Sequence, residues 1–202
     1  MASIELRVLD TRIGARFKEP RPSDIIVGSV TPLSTLMTQI TGALGSDRLG
    51  RLSVCCHGYE SGVADPRVAM SRPGGGFGLQ LGGDDLTWGT VSAFSSLSGK
   101  FANGGMFDIY ACAAAEDTSD GNGFTGNGRL LMRELAGYSG ATVRASDSIQ
   151  NYTAGVVATT FLGIQVGTHY SGVDFGEWEG NVWLFTPDGA RSRDTAPGRG
   201  VH

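Results

Sequence analysis

Cysteine is scarce, with three in 202 residues, too few for a disulfide framework. Cys55 and Cys56 are adjacent, where a disulfide would be strained, and on a strand their side chains face opposite ways. At least one is therefore expected as a small core residue. Long apolar runs are missing as well. No stretch reaches the ~20 residues that span a bilayer, and MASIELRVLD at the amino terminus carries charges where a signal peptide needs an apolar region. The expected compartment is cytoplasmic, with export by a route without a cleaved signal left open. Nor is there an excess of positive charge. Sixteen Lys and Arg against 20 Asp and Glu give a net charge of −4, and the basic residues are scattered, which argues against a broad nucleic-acid surface. Aromatic–basic alternation for single strands is also lacking.

What is abundant is glycine, 32 residues without a fixed period, which implies tight turns, long loops and close backbone approaches. The length suits one domain with a sizeable core. Ile4–Leu9 alternates like an opening strand, and Ile25–Val27 suits a second. Pro32 opens a helical pattern through Leu33, Leu36, Met37, Ile40 and Leu44 that Gly45 stops. Leu52–Cys56 is a short apolar run ending in His57–Gly58, the mark of a buried parallel strand. The Gly-, Ser- and Pro-rich stretch from Tyr59 to Gly83 reads as loop, with Phe77–Leu81 as a hairpin arm.

Asp84 or Asp85 is expected to cap a helix carrying Leu86, Val91, Phe94 and Leu97. Met106–Tyr110 is the next buried run, followed by Ala111–Cys112–Ala113. A glycine-rich loop over 121–128 precedes a helix bearing Leu130, Leu131, Leu135 and Tyr138. A strand follows over Ala141–Ala145, closing at Ser146–Asp147. Strand and helix alternate, which predicts an α/β sheet, mostly parallel, in a three-layer sandwich. Val156–Val166 reads as strand or hairpin, and the segment around Trp178 to Phe185 as a last strand. Residues 1–186 are expected as a single domain. The segment 187–202 has almost nothing to bury and reads as a disordered tail.

In open α/β sheets function gathers beyond the carboxyl ends of the strands. His57 and Cys112 each directly follow a buried run, and each is followed by a small residue. A thiol beside an imidazole becomes a thiolate nucleophile, and the imidazole can protonate a leaving amine. The N–H groups of Gly58 and Cys112 are candidate oxyanion donors. Neither Asp108 nor Asp147 can be assigned from sequence as the group that orients His57. A metal site built from Cys55, Cys56, His57 and Cys112 fails because adjacent ligands do not easily converge and no paired Cys spacing exists. No metal and no other cofactor is expected. Gly74–Gly75–Gly76 lacks the Lys and Ser or Thr of a phosphate loop. His169 reads as a surface residue.

The segments LSVCCHG at 52–58 and MFDIYAC at 106–112 resemble the caspase-like cysteine peptidase superfamily, whose mark is a strand ending in His-Gly and a later strand ending in a small residue and Cys. GRLLMRELAGYSGATVRASDS at 128–148 and GEWEGNVWLF at 176–185 are similar to a caspase-like bacterial domain of unknown function. That domain is found near the amino end of large repeat-rich surface proteins. The resemblance implies a caspase-like fold, peptide-bond hydrolysis with His57 as base and Cys112 as nucleophile, and a protein or peptide substrate. Metacaspases carry Asp two residues before the nucleophile, where this chain has Tyr110; Asp147 is the candidate carboxylate for a basic side chain at the cleavage position, its alternative role being a turn or helix cap. Arg144 or Arg72 would instead serve an acidic one. The alternative is an idle caspase-like binding module in a toxin, adhesin or immunity system. Oligomeric state is not legible.

Overall fold

The computed structural model describes residues 2–58, 78–117, 127–161 and 164–202. The first strand, β1 (Ser3–Asp10), pairs in parallel with β2 (Ile25–Val27) and β3 (Arg48–Cys55). Between β2 and β3 runs helix α1 (Leu33–Leu44), which buries the five apolar positions read from its periodicity. Each such burial stabilises by roughly 1.5–3 kcal/mol. β3 is followed by the two-residue strands β4 (His57–Gly58) and β5 (Leu79–Gln80), which pair antiparallel. A 3-10 helix (Val91–Leu97) leads to β6 (Phe101–Tyr110), and helix α2 (Gly128–Ser139) to β7 (Thr142–Ser146). β8 (Tyr152–Phe161) and β9 (Ile164–Phe175) form a long hairpin, and β10 (Val182–Phe185) and β11 (Arg191–Asp194) complete the elements.

The central sheet has seven strands in the order β11-β10-β7-β6-β3-β1-β2, parallel except at β10. Crossovers between parallel strands are right-handed. The steps β2 to β3, β3 to β6 and β6 to β7 all advance the same way across the sheet, so α1, the 3-10 helix and α2 share one face. There they bury Leu36, Ile40, Phe94 and Leu135 against Leu6, Leu52, Phe107 and Val143. The step β1 to β2 runs the other way, and its connection lies on the opposite face, where Ile13 and Phe17 pack with Leu9, Cys55 and Tyr110. This second face carries no helix among the described residues. The end of β9 from Val173, the irregular chain that follows it to Trp178, and Val201 cover it. The molecule is thus α/β with helices, sheet and a layer of mostly irregular chain.

Three expectations need correction. The helix expected from Asp84 or Asp85 is only the 3-10 turn Val91–Leu97, because Leu86 is drawn into a bridge with Leu79 and Asp85 takes a left-handed φ of 56°. Asp84 does cap a helix, but a distant one: its carboxylate accepts the Leu33 amide of α1 at 2.8 Å. The segment 187–202 is not a loose tail. Thr186 and Ala190 close a turn into β11, the Phe175 amide donates to the Val201 carbonyl at 2.8 Å, and Val201 enters the second-face core. Main-chain pairing, Val201 and polar contacts from Arg144, Arg7 and Asp174 hold it, and its polar composition does not display these partners. Among the described residues no helix is long and apolar enough to cross a membrane.

Candidate active site

Parallel pairing of β3 with β6 places Cys55 opposite Tyr110, and the Cys56 amide donates to the Tyr110 carbonyl at 3.1 Å. His57 and Cys112 each lie two residues beyond that shared rung, so both follow the second face past the carboxyl end of the sheet. The backbones then meet. A Cβ built at Gly58 would fall 1.7 Å from the Cys112 carbonyl oxygen and 3.0 Å from its amide nitrogen. Glycine is the residue that permits this approach. The two candidate oxyanion amides, of Gly58 and Cys112, therefore belong to touching segments.

Both side chains are half-buried, whereas Cys55 and Cys56 are fully enclosed. Burial pushes the Cys55 and Cys56 thiols far above their ordinary pKa, which keeps them neutral and inert. Their opposite orientation holds: Cys56 packs with the helices and Cys55 with the second face. None of the three forms a disulfide. Among the described residues no three His, Cys, Asp or Glu side chains gather as a metal would require.

The turn that carries Cys112 is fixed from the next strand. The amides of Ala113 and Ala115 donate to the carbonyls of Ser148 and Ser146, at 2.9 and 2.8 Å. Ala113 is held at a φ of +50°, a left-handed conformation costing a non-glycine residue about 1–2 kcal/mol. The Cys112 thiol lies 3.9 Å from the Gln150 carbonyl. Gln150 is itself buried, its amide donating to the carbonyls of Ser148, Ile149 and Glu179 and accepting from the Glu179 amide. Tyr152 presents its ring edgewise to His57, with centroids 6.4 Å apart. An unbroken aromatic series runs behind it, Tyr152 on Phe175, Phe175 on Tyr110 and Tyr110 stacked on Trp178 at 4.3 Å. Gln150 and Tyr152 were not singled out in the sequence; the only trace is the uncharged polar stretch after Asp147.

Asp147 reaches the same end of the sheet, but its carboxylate is taken by its own chain. It accepts from the Asn181 amide, the Asn181 side chain, the Trp183 indole and the Ser148 hydroxyl, and it lies 3.6 Å from Arg129. Burial alone would raise its pKa, and these hydrogen bonds outweigh burial and hold it below the ordinary carboxylate value. Asp108 is far from the role of orienting His57. It lies beneath Tyr110 on β6, between Arg144 at 3.6 Å and Arg51 at 3.4 Å. Arg144 is likewise committed, to Asp194 at 3.0 Å and the Pro197 carbonyl at 3.1 Å. Arg72, Gly74–Gly75–Gly76 and most of the 121–128 loop lie outside the described residues. Comparison with known proteins returns no match: no family model, no curated protein and no solved structure matches the chain.

Proposed function

We propose that the chain is a cysteine endopeptidase of caspase-like type, with Cys112 as nucleophile and His57 as acid and base. One observation carries this reading: the His57–Gly58 segment and Cys112 leave neighbouring strands at matched register, and Gly58 has no room for a side chain because Cys112 is there. In the reaction the Cys112 thiolate adds to the peptide carbonyl carbon, forming a C–S bond and an oxyanion that the Gly58 and Cys112 amides face. His57 passes the thiol proton to the amine, the C–N bond breaks and an acyl-thioester remains. Water, deprotonated by His57, then attacks the thioester and releases a carboxylic acid and the thiol. The strand order, with an antiparallel strand after the parallel set, is compatible with a caspase-like fold and supports the same reading.

Peptide electrophiles bearing Arg, Asp or Leu before the warhead test it. Labelling at Cys112 that His57→Ala abolishes is the expected result. Absence of labelling, or labelling indifferent to His57, favours the idle binding module instead.

A further inference from the structure

A second site-like feature lies at the other edge of the sheet, where α2 passes the β10–β11 turn. A cleft of about 430 Å³ is lined by Asn127, Arg129, Leu130, Arg133, Phe185, Gly189 and Arg191. Three of the seven lining residues are arginines and none is a carboxylate, in a chain whose net charge is −4. Arg129 and Arg133 stand one helical turn apart on α2, a repulsive spacing for like charges. Arg133 and Arg191 have no ion-pair partner among the described residues. Arg129 is met from the side by Asp117 at 2.6 Å and Asp147 at 3.6 Å, and its buried Nε has no hydrogen-bond partner among the described residues.

Two of the three guanidiniums are held in place before any ligand arrives. Arg129 at 4.5 Å and Arg191 at 5.0 Å each lie over the Trp183 ring, whose indole N–H is anchored on Asp147. Stacked arginines lose little freedom on binding; Arg191 keeps its N–H edge for planar or tetrahedral oxyanions, while Arg129 shares its own with Asp117 and Asp147. The turn leaves the rim low: a Cβ at Gly189 would meet only the Arg133 Cδ, at 3.9 Å. Asp188, in the same turn, directs its carboxylate to the Thr186 hydroxyl and the Ala190 amide.

We propose that this cleft binds a phosphorylated small molecule. Guanidinium groups pair with phosphoryl oxygens in two-pronged fashion, and the cleft volume lies in the small-molecule range of about 300–1,000 Å³, too large for an inorganic ion alone. The proposal is independent of the peptidase reading, since no residue of the dyad lines the cleft.

Calorimetric titration with inorganic pyrophosphate is the test, with citrate as a carboxylate comparator and each variant checked by thermal melt. Saturable one-site binding is expected, weakened about tenfold or more in Arg133→Gln/Arg191→Gln, as for loss of charge-assisted bonds. Should that pair fail to fold, Arg133→Gln alone is read. Arg21→Gln, which alters an exposed arginine beside Glu5, leaves binding unchanged. No saturable binding, equal binding by the cleft variants, or equal loss in Arg21→Gln overturns the site. Citrate binding as tightly through the same arginines overturns the phosphoryl assignment.

Discussion

At Gly58 a single hydrogen in place of a methyl group decides whether two strand ends can touch. An alanine there would put its Cβ 2.7 Å from the Cys112 carbonyl carbon as well as 1.7 Å from the oxygen, and the obstacle is backbone, which cannot rotate away. Gly58→Ala is expected to cost about 1–3 kcal/mol through forced displacement. It should lower Cys112 labelling by peptide electrophiles far more than stability, on the order of 100-fold for a shift near 1 Å. A Gly58→Ala protein labelled at the wild-type rate would show that the contact does not position the thiol. The common placement of His57 and Cys112 was legible because each directly follows an apolar run, and equal offsets on paired strands bring the two positions to one end of the sheet. Gln150 and Tyr152 were not legible, because what commits them is the fold of a polar loop and a ring neighbour nearly a hundred residues earlier. Nothing in Ala113 as a residue type announces a left-handed φ.

Elements were legible where apolar periodicity alone determines them. α1 buries all five positions its spacing predicts, whereas α2 buries Leu131 and Leu135 but leaves Leu130 half-buried and Tyr138 exposed. The 85–97 segment failed because its first apolar residue, Leu86, has a strand partner in Leu79, and the sequence does not display that competitor. Asp147 shows the same limit at a strand end. Its position at the rim suggested a pocket, yet the carboxylate ties β7 to β10 through Asn181 and Trp183. Asp147→Ala is therefore expected to cost about 2 kcal/mol, leaving those donors unmatched, or roughly 4–8 °C in Tm for a chain of this size. The contribution has a definite pH course. Because the folded pKa is depressed, it is full above the ordinary value of 3.8 and fades as pH falls through the folded value. The ratio of Arg to Leu probe labelling should stay unchanged; a selective loss with the Arg probe would restore Asp147 to the pocket.

Across the whole molecule the two faces of the sheet differ in what holds them. The helical face is apolar over its centre, whereas on the other a polar row, Arg7, Ser53, Asp108 and Arg144, crosses β1, β3, β6 and β7 at one register level. The closing segment of the chain is clamped over this row and its surroundings: Arg144 holds Asp194, Arg7 donates to the His202 carbonyl, and Asp174 pairs with Lys18 and the His202 ring. Two carboxylates in this layer titrate with opposite consequences. For Asp174, burial pushes the pKa up but hydrogen bonds from Lys18 and His202 prevail and depress it. Its stabilisation is full above 3.8 and is lost as pH falls through the folded value. Asp108 is fully buried and neither of its oxygens accepts a hydrogen bond among the described residues. Burial raises its pKa, with Arg144 and Arg51 only partly opposing, so the folded state holds that proton more tightly than the unfolded chain. Its favourable contribution is full below 3.8 and disappears as pH rises through the raised folded value. Melting curves of wild type, Asp174→Asn and Asp108→Asn between about pH 3 and pH 8 separate the two. The advantage of wild type over Asp174→Asn, about 1 kcal/mol or less at neutral pH, should shrink toward acid. Its advantage over Asp108→Asn should grow toward acid and vanish or reverse at neutral pH, where the asparagine removes a buried charge while Arg144 keeps Asp194. If both differences slope the same way, the second face is not held by this arrangement of charge.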